Sequence, residues 1–319
     1  MEILKAIVYL LGGGVVLSLG AHLFVVSASH LARRLGISPV IIGLTVVAFG
    51  TSAPEMAVNV MAAMQGNTDI AMGNVVGSNI FNVAFILGLC ALIKPLIVSA
   101  QLIKIDIPIM TLASLLLWWF ARDLTISKTD GTIFLIGIVL YTLLQIRLAV
   151  KGKNADEEFG REFKEQGKPL KDSLVLIIGL VLLIGGANYF VDGAVMGARL
   201  LGWSEAVIGL TIIAAGTSMP EVATSVAATL KGERDIAIGN VVGSCIFNVL
   251  SVIGLSSVIS PNGIPVSEHM AKIDITVMVV VTLACLPFCI LKRQMGRLLG
   301  TTLFLGWIGY TYYLISTNV

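Results

Sequence analysis

Charged side chains are scarce in this sequence. They make up 13% of its 319 residues, about half the share that is usual in a globular protein. Hydrophobic residues make up 56%, and strongly apolar runs recur along the chain. These runs reach the roughly 20 residues that a helix needs to cross a hydrocarbon core. The composition therefore argues against an ordinary soluble domain and predicts a polytopic helical membrane protein.

Histidine and cysteine are also rare. The histidines His22, His30 and His269 share no motif, whereas an intramembrane enzyme would need metal-spaced histidines or a nucleophile with a base. The cysteines all lie in or near apolar runs, and we interpret them as small packing residues. They are Cys90, Cys245, Cys285 and Cys289. We therefore expect neither an enzyme nor a bound cofactor.

The apolar runs divide into ten predicted spans, five in each half of the chain. The first half contains Leu4–Ser27, Val40–Met64, Ile70–Ile93, Ile105–Phe120 and Gly131–Val150. The second half contains Leu174–Ala198, Ala206–Leu230, Ile236–Ile259, Ile273–Leu291 and Leu298–Ile315. We assign residues 1–150 to a first five-helix repeat, residues 151–172 to a polar linker and residues 173–319 to a second five-helix repeat.

Lysine and arginine are unevenly divided between the predicted loops. The odd-numbered loops, among them the polar linker, carry most of them. The positive-inside rule then places these loops in the cytoplasm and both termini outside. Because each half has an odd number of spans, the second half is expected to be inverted relative to the first. The expected location is the inner (plasma) membrane of the cell.

Part of the sequence occurs twice, 166 residues apart. Residues 42–55 (I-G-L-T-V-V-A-F-G-T-S-A-P-E) match residues 208–221 (I-G-L-T-I-I-A-A-G-T-S-M-P-E). Residues 69–82 (D-I-A-M-G-N-V-V-G-S-N-I-F-N) match residues 235–248 (D-I-A-I-G-N-V-V-G-S-C-I-F-N). About 26 of the 43 aligned positions are identical, which shared hydrophobicity alone does not explain. Helices that face lipid need only be apolar, so the repeated Gly-Thr-Ser-x-Pro-Glu indicates a function.

Each copy places a glutamate in the middle of an apolar span, at Glu55 and at Glu221. A carboxylate at that depth is costly unless it is paired, hydrated or protonated. A salt bridge is the structural alternative, but the cores of the spans contain no lysine or arginine. Two such acids at equivalent positions predict a cation that binds and leaves.

A proline precedes each glutamate and predicts a break in the helix. Pro54 and Pro220 have no N–H, and their rings clash with the carbonyl four residues back. Broken backbone at membrane depth survives only where it is buried in protein or lines a cavity. Hydroxyl groups lie beside each break, at Thr51, Ser52, Thr217 and Ser218. Carboxylate, hydroxyl and carbonyl oxygens then converge, and such a set suits hard cations such as Ca²⁺ or Na⁺.

The second repeated motif supplies further oxygens. Two pairs of polar residues share a helix face at four-residue spacing. These are Ser78 with Asn82 and Ser244 with Asn248. For Asn82 and Asn248 we favour an oxygen directed at the cavity over a bond between helices. For Asn74 and Asn240 the two interpretations are equally open.

The paired G-T-S-x-P-E and G-N-V-V-G-S-x-I-F-N segments resemble the two α-repeats of the sodium/calcium exchanger family, within the cation/calcium exchanger superfamily. The likeness covers the whole chain and is to the prokaryotic members. It implies an all-α membrane protein of ten helices, with two inverted repeats whose broken helices meet at the bilayer midplane around four ion sites, one for Ca²⁺ and the others for Na⁺. The ligands it implies are the carbonyls of Ala48 and Ala214 and the side chains of Thr51, Ser52, Glu55, Ser78, Asn82, Thr217, Ser218, Glu221, Ser244 and Asn248.

The expected function is therefore a secondary antiporter that exchanges Ca²⁺ for Na⁺ by alternating access. Two carboxylates balance one Ca²⁺, whereas the three Na⁺ that the resemblance implies leave one positive charge, so exchange should be electrogenic. Some family members have an aspartate where this chain has Asn82 or Asn248, and the two amides here weaken the case for K⁺ dependence.

Two other functions compete with this one. Ca²⁺/H⁺ exchange on the same scaffold, with Glu55 and Glu221 taking up protons, is the alternative, although the many hydroxyls and amides exceed what a proton exchanger needs. A channel fits less well, because a pair of broken helices in two repeats is typical of transporters. The expected partners are Ca²⁺ and Na⁺, with H⁺ in the alternative, and the lipid bilayer. Neither nucleic acid nor an obligate protein partner is expected.

Overall fold

Helices form almost all of the fold. The computed structural model describes residues 2–65, 68–155, 169–202, 212, 214–292 and 294–318. Within these residues, seven helices are long and apolar enough to cross a membrane, and a bent pair of helices makes an eighth candidate span. The prediction of a polytopic helical membrane protein is confirmed.

The first half of the chain contains six helices in the described residues. They are α1 (Glu2–Leu35), α2 (Pro39–Thr51), α3 (Ala53–Met64), α4 (Thr68–Ile80, continued by a π-helical segment Phe81–Leu87 and by Gly88–Ile93), α5 (π-helical Leu102–Asp106, then Ile107–Phe120) and α6 (Lys128–Ala155). Two short strands, β1 (Leu96–Ile97) and β2 (Thr125–Ile126), flank α5.

The second half repeats this order. Its helices are α7 (Pro169–Leu200), α8 (Ala214–Gly216), α9 (Met219–Lys231), α10 (Arg234–Phe247, π-helical Asn248–Ile253, then Gly254–Ile259), α11 (π-helical Met270–Asp274, then Ile275–Lys292) and α12 (Arg297–Asn318). The strands β3 (Ile264–Pro265) and β4 (Gln294–Met295) flank α11. Most of the predicted linker and the beginning of the predicted span Ala206–Leu230 lie outside the described residues.

Both glutamates follow a break at a serine. Ser52 (φ −85°, ψ 3°) and Ser218 (φ −91°, ψ 9°) leave the helical conformation, and α2 and α3 are bent by 47° relative to each other. Pro54 and Pro220 lie in the first turn of the next helix, where a missing N–H is tolerated. The predicted breaks are confirmed, two residues before each proline.

Glycines bring α1 and α7 together in an antiparallel pair. Gly20 lies against the backbone of Leu183, and Gly186 lies against the backbone of Leu17, so residue numbers rise along one helix as they fall along the other. A Cβ atom at either glycine would collide with the opposite backbone. Small residues allow this close approach between membrane helices.

Two short antiparallel ladders join the halves. β1 pairs with β4 at Leu96 and Met295, and β2 pairs with β3 at Thr125 and Pro265. Because β1 and β2 lie at opposite ends of α5, the two ladders lie at opposite ends of the bundle. Each ladder contains one strand from each half, so both ends are held by contacts between the halves.

The second repeated motif lies on the two central helices, α4 and α10. In the most apolar stretch of α10, 94% of the residues are buried, and the share is 72% in α4. In α1 only 17% are buried. Cys90 and Cys245 are buried in these helices, Cys285 is buried in α11, and the three form no disulfide among the described residues. The side chain of Cys289 lies outside the description. The center of the fold is therefore built from the G-N-V-V-G-S motifs.

Candidate ion-binding site

The two halves exchange hydrogen bonds at the repeated glutamates. Glu55 and Glu221 lie in the first turns of α3 and α9 and are 1% and 0% exposed. Ser52 Oγ donates to Glu221 Oε1 at 3.1 Å, and Ser218 Oγ donates to Glu55 Oε1 at 3.3 Å. Oε2 of each glutamate has no hydrogen-bond partner among the described residues. Each half thus binds the other's carboxylate through one oxygen and leaves the second oxygen available.

No positive side chain balances these carboxylates in the part of the chain that the structure describes. The ion pairs found there lie elsewhere, between Arg33 and Glu233 for example, and none includes either central glutamate. A buried carboxylate without a counter-charge is costly. Two of them in one region favour the binding of a cation or the uptake of protons.

The threonines of the G-T-S motif also reach across to the other half. Thr51 donates to Asn240 Oδ1 at 3.0 Å, and Thr217 donates to Asn74 Oδ1 at 3.3 Å. Asn240 in turn donates to Ser225 Oγ at 3.0 Å. For Asn74 and Asn240 the sequence left two interpretations open, and the structure gives each of them a bond between helices.

Ser78 and Ser244 border the same groups from α4 and α10. Ser78 Oγ lies 3.2 Å from Ser218 Oγ, and Ser244 Oγ lies 3.5 Å from Thr51 Oγ1. All four side chains are buried. The structure therefore brings the hydroxyls of both repeated motifs together beside the glutamates, and their role as ligands stays a prediction.

Asn82 is the second residue of the π-helical segment of α4, and Asn248 is the first residue of the π-helical segment of α10. Such segments are frequent at functional sites because they interrupt the regular hydrogen-bond pattern. Both side chains are buried. Among the described residues, neither amide atom of Asn82 has a partner, and Oδ1 of Asn248 has none. Nδ2 of Asn248 donates to Asn79 at 3.1 Å, so the two amides differ in their surroundings.

The two predicted carbonyl ligands, Ala48 and Ala214, each lie four residues before one of the breaks at Ser52 and Ser218. Ala48 O accepts the N–H of Ser52 at 2.9 Å and the hydroxyl of Thr51 at 3.3 Å. Ala214 begins α8, and its side chain lies outside the description. A role for these carbonyls stays a prediction, as do the roles of Asn82 and Asn248.

Two buried asparagines at the site were not predicted from the sequence. Asn59 Nδ2 donates to the carbonyl of Glu55 at 2.6 Å, and Asn79 contacts Asn248. A signal existed for Asn59, which follows Glu55 by four residues and so shares its helix face. Asn79 directly follows Ser78 in an apolar span, but nothing in the sequence identified its partner across the repeats.

The family follows from comparison with known proteins. The model of the family described as "Sodium/calcium exchanger protein" matches residues 5–147 and 172–316. This chain belongs to the sodium/calcium exchanger family. The resemblance predicted from the repeated motifs is thereby confirmed, and the family is one of transporters. The two matched segments correspond to the two halves of the fold.

Individual relatives match over nearly their whole length. Sodium/calcium exchanger MaX1 of Methanosarcina acetivorans is 33% identical, and the match covers 94% of this chain and 96% of MaX1. Inner membrane protein YrbG of Escherichia coli (strain K12) is 36% identical, with 98% of each chain covered. A solved structure of the sodium-calcium exchanger NCX_Mj, soaked with 10 mM Na⁺ and 10 mM Sr²⁺, matches with a TM-score of 0.82 at 30% identity, covering 96% of this chain and 97% of that chain.

Proposed function

We propose that this protein is a secondary antiporter that exchanges Ca²⁺ for Na⁺ across the membrane by alternating access. The observation that carries the proposal is the reciprocal pairing of Ser52 with Glu221 and of Ser218 with Glu55. A cation between the two available carboxylate oxygens would be held by both halves at once. Rearrangement of one half against the other would then change the side from which the ion is reached, which is how repeat-built transporters operate.

The charge of the site gives a physical reason for obligatory exchange. Glu55 and Glu221 together neutralise one Ca²⁺, so the Ca²⁺-loaded site is neutral. Three Na⁺ in the same region would leave one net positive charge, which makes the cycle electrogenic. An empty site would carry two bare carboxylates through a low-dielectric region, which is costly. That cost favours return of the transporter only with ions bound.

The proposed ligands are all oxygen donors. They are the carbonyls of Ala48 and Ala214 and the side chains of Thr51, Ser52, Glu55, Ser78, Asn82, Thr217, Ser218, Glu221, Ser244 and Asn248. Carboxylate, hydroxyl, amide and carbonyl oxygens suit Ca²⁺ and Na⁺, whereas zinc or copper would favour nitrogen or sulfur. The two neutral amides lead us to expect exchange that needs Na⁺ but not K⁺.

We further propose ten spans in the inner membrane, arranged as two inverted five-helix repeats of residues 1–150 and 173–319. Residues 151–172 would form a cytoplasmic linker, and both termini would lie outside. The antiparallel packing of the equivalent helices α1 and α7 supports the inversion. Thiol labelling of Asn154→Cys and Asn318→Cys should succeed from opposite sides of the membrane. Labelling of both from one side would contradict the five-plus-five arrangement.

The proposed exchange is tested by Ca²⁺ uptake into proteoliposomes. Na⁺, K⁺ and H⁺ gradients are imposed separately, with Glu55→Gln as the inactive control. We expect uptake only from vesicles loaded with Na⁺. An inside-positive potential should accelerate it, because three Na⁺ leaving for each Ca²⁺ carry net positive charge outward. Uptake that a pH gradient drives equally well without Na⁺ would instead establish Ca²⁺/H⁺ exchange.

A further inference from the structure

We propose that Asn79 is a positioning residue that fixes the amide of Asn248 with its oxygen toward the ion site, and that Asn82 has no such partner. The two amides of the repeated motif would therefore have unequal roles. Asn248 would be a permanent oxygen ligand, whereas the amide of Asn82 could turn. This inference rests on the proposed ion exchange and concerns a residue outside the ligand set given above.

A backbone carbonyl sets the direction of the hydrogen bonds. Nδ2 of Asn79 donates to the carbonyl of Cys245 at 3.3 Å. A carbonyl can only accept, so this end of the Asn79 side chain must be its NH₂ group. Oδ1 of Asn79 then forms the other end and accepts from Nδ2 of Asn248 at 3.1 Å. With its NH₂ group held in this way, Asn248 must direct Oδ1 elsewhere.

The freed oxygen of Asn248 is buried and ready to bind. Asn79 and Asn248 are 2% and 1% exposed, so water does not compete for these bonds. Oδ1 of Asn248 has no hydrogen-bond partner among the described residues. A buried acceptor without a donor is costly, and a cation would remove that cost. The orientation that Asn79 imposes on the Asn248 amide thus presents the oxygen as a ligand. It also turns the NH₂ group, which would repel a cation, away from the ion.

Asn82 has no residue that orients its amide in this way. The position equivalent to Asn79 in the second copy of G-N-V-V-G-S-x-I-F-N is Cys245. Its thiol lies 4.0 Å from the carbonyl of Asn79, and it makes no described bond with Asn82. Both Nδ2 and Oδ1 of Asn82 are without a partner among the described residues. Nothing there selects the oxygen of Asn82 over its NH₂ group.

The competing hypothesis is that Asn79 merely joins α4 to α10. A purely structural bond would change stability and the amount of folded protein, but it would not alter which of the two amides matters more for Ca²⁺. An exchange of residues between the halves distinguishes the two hypotheses. The double substitution Asn79→Cys with Cys245→Asn moves the orienting amide to the second half, where it would face Asn82.

The experiment measures the KM for Ca²⁺ and the maximal rate of Na⁺-driven uptake in proteoliposomes. In the unmodified protein, Asn248→Ala should raise KM about tenfold more than Asn82→Ala does, and the exchanged background should reverse this order. Asn79→Leu, which keeps the size but removes both bonds, should raise KM about tenfold with the maximal rate within about twofold. Cys90→Ala, a buried change elsewhere in α4, controls for packing.

If Asn79→Leu does not fold, Cys245→Asn alone is informative, because it adds an orienting amide beside Asn82 and leaves Asn79 in place. It should lower the KM for Ca²⁺ about threefold. An unchanged KM in Asn79→Leu or Cys245→Asn, or the same order of the two alanine variants in both backgrounds, would overturn the inference while leaving the exchanger intact. Absence of uptake in the unmodified protein would overturn the proposed function and this inference with it.

Discussion

At the repeated glutamates the two halves contact each other in the same way. Ser52 binds Glu221 as Ser218 binds Glu55. Toward the ends of the bundle, equivalent residues have different partners. Asp106 in the I-K-I-D-I segment accepts from Gln145 at 2.6 Å, whereas Asp274 in the A-K-I-D-I segment contacts a histidine ring nitrogen at 3.2 Å.

This difference shows in which part of the molecule the two copies of the repeat make equivalent contacts. Each of these aspartates accepts a hydrogen bond from an equivalent tyrosine, Tyr141 to Asp106 at 3.1 Å and Tyr310 to Asp274 at 2.7 Å. These bonds lie within one half, so a change in one half need not be matched in the other. The bonds at the glutamates join one half to the other, so a change on either side would alter a contact of both halves.

The largest expected effect comes from the glutamates. Glu55→Gln and Glu221→Gln should each abolish Na⁺-driven Ca²⁺ uptake, by about a hundredfold or more, because one negative charge cannot balance a divalent ion and a lost buried charge costs about 3–5 kcal/mol. Size-exclusion profiles should show that both variants remain folded. Near-normal flux in either variant would exclude that glutamate from the site.

A smaller effect is expected from the serines that bind them. Ser52→Ala and Ser218→Ala should each raise the KM for Ca²⁺ about tenfold, since a hydrogen bond to a charged group contributes about 1.5–3 kcal/mol. The two values should agree within about threefold, because the bonds are equivalent. A strong effect of one serine substitution with no effect of the other would show that the halves are not equivalent at the glutamates.

The glycines between α1 and α7 should affect stability. Gly20→Ala and Gly186→Ala occupy equivalent positions and should each destabilise the protein by about 1–3 kcal/mol, as other overpacked substitutions do. Gly185→Ala is the matched control, because nothing lies within 4 Å of a Cβ atom there. Thermal unfolding in detergent measures all three. An equal fall in Tm for Gly185→Ala and Gly186→Ala would contradict the described packing.

The smallest effects are expected at the tyrosines. Tyr141→Phe and Tyr310→Phe each remove one hydrogen bond and should lower stability by about 1 kcal/mol. The KM for Ca²⁺ should stay within about twofold, because neither tyrosine contacts the central groups in the described structure. A tenfold change in KM from either would show that the ends of the bundle act on the site.

Much of this architecture could be predicted from the sequence. Apolar runs and scarce charge predicted the membrane helices, and Pro54 and Pro220 predicted the breaks that the structure places at Ser52 and Ser218. The repeated motif predicted the glutamates as ion ligands, because an acid in the middle of an apolar run is too costly without a function. Each of these signals lies in a short stretch of sequence, so it can be interpreted without knowledge of the fold.

Contacts between the halves could not be predicted in the same way. The bonds of Thr51 to Asn240 and of Asn248 to Asn79 join residues more than 160 positions apart. Their partners depend on how α2 and α4 pack against α10. The π-helical segments at Asn82 and Asn248 were also missed, because they arise from packing and have no characteristic amino-acid composition.

Equilibrium Ca²⁺ binding to the purified protein tests most directly the claim that both halves build one site. The account predicts one Ca²⁺ per chain, displaced by Na⁺ and lost completely in Glu55→Gln and in Glu221→Gln alike. Two Ca²⁺ per chain in the unmodified protein, with one remaining in each variant, would contradict it, because each half would then hold its own ion.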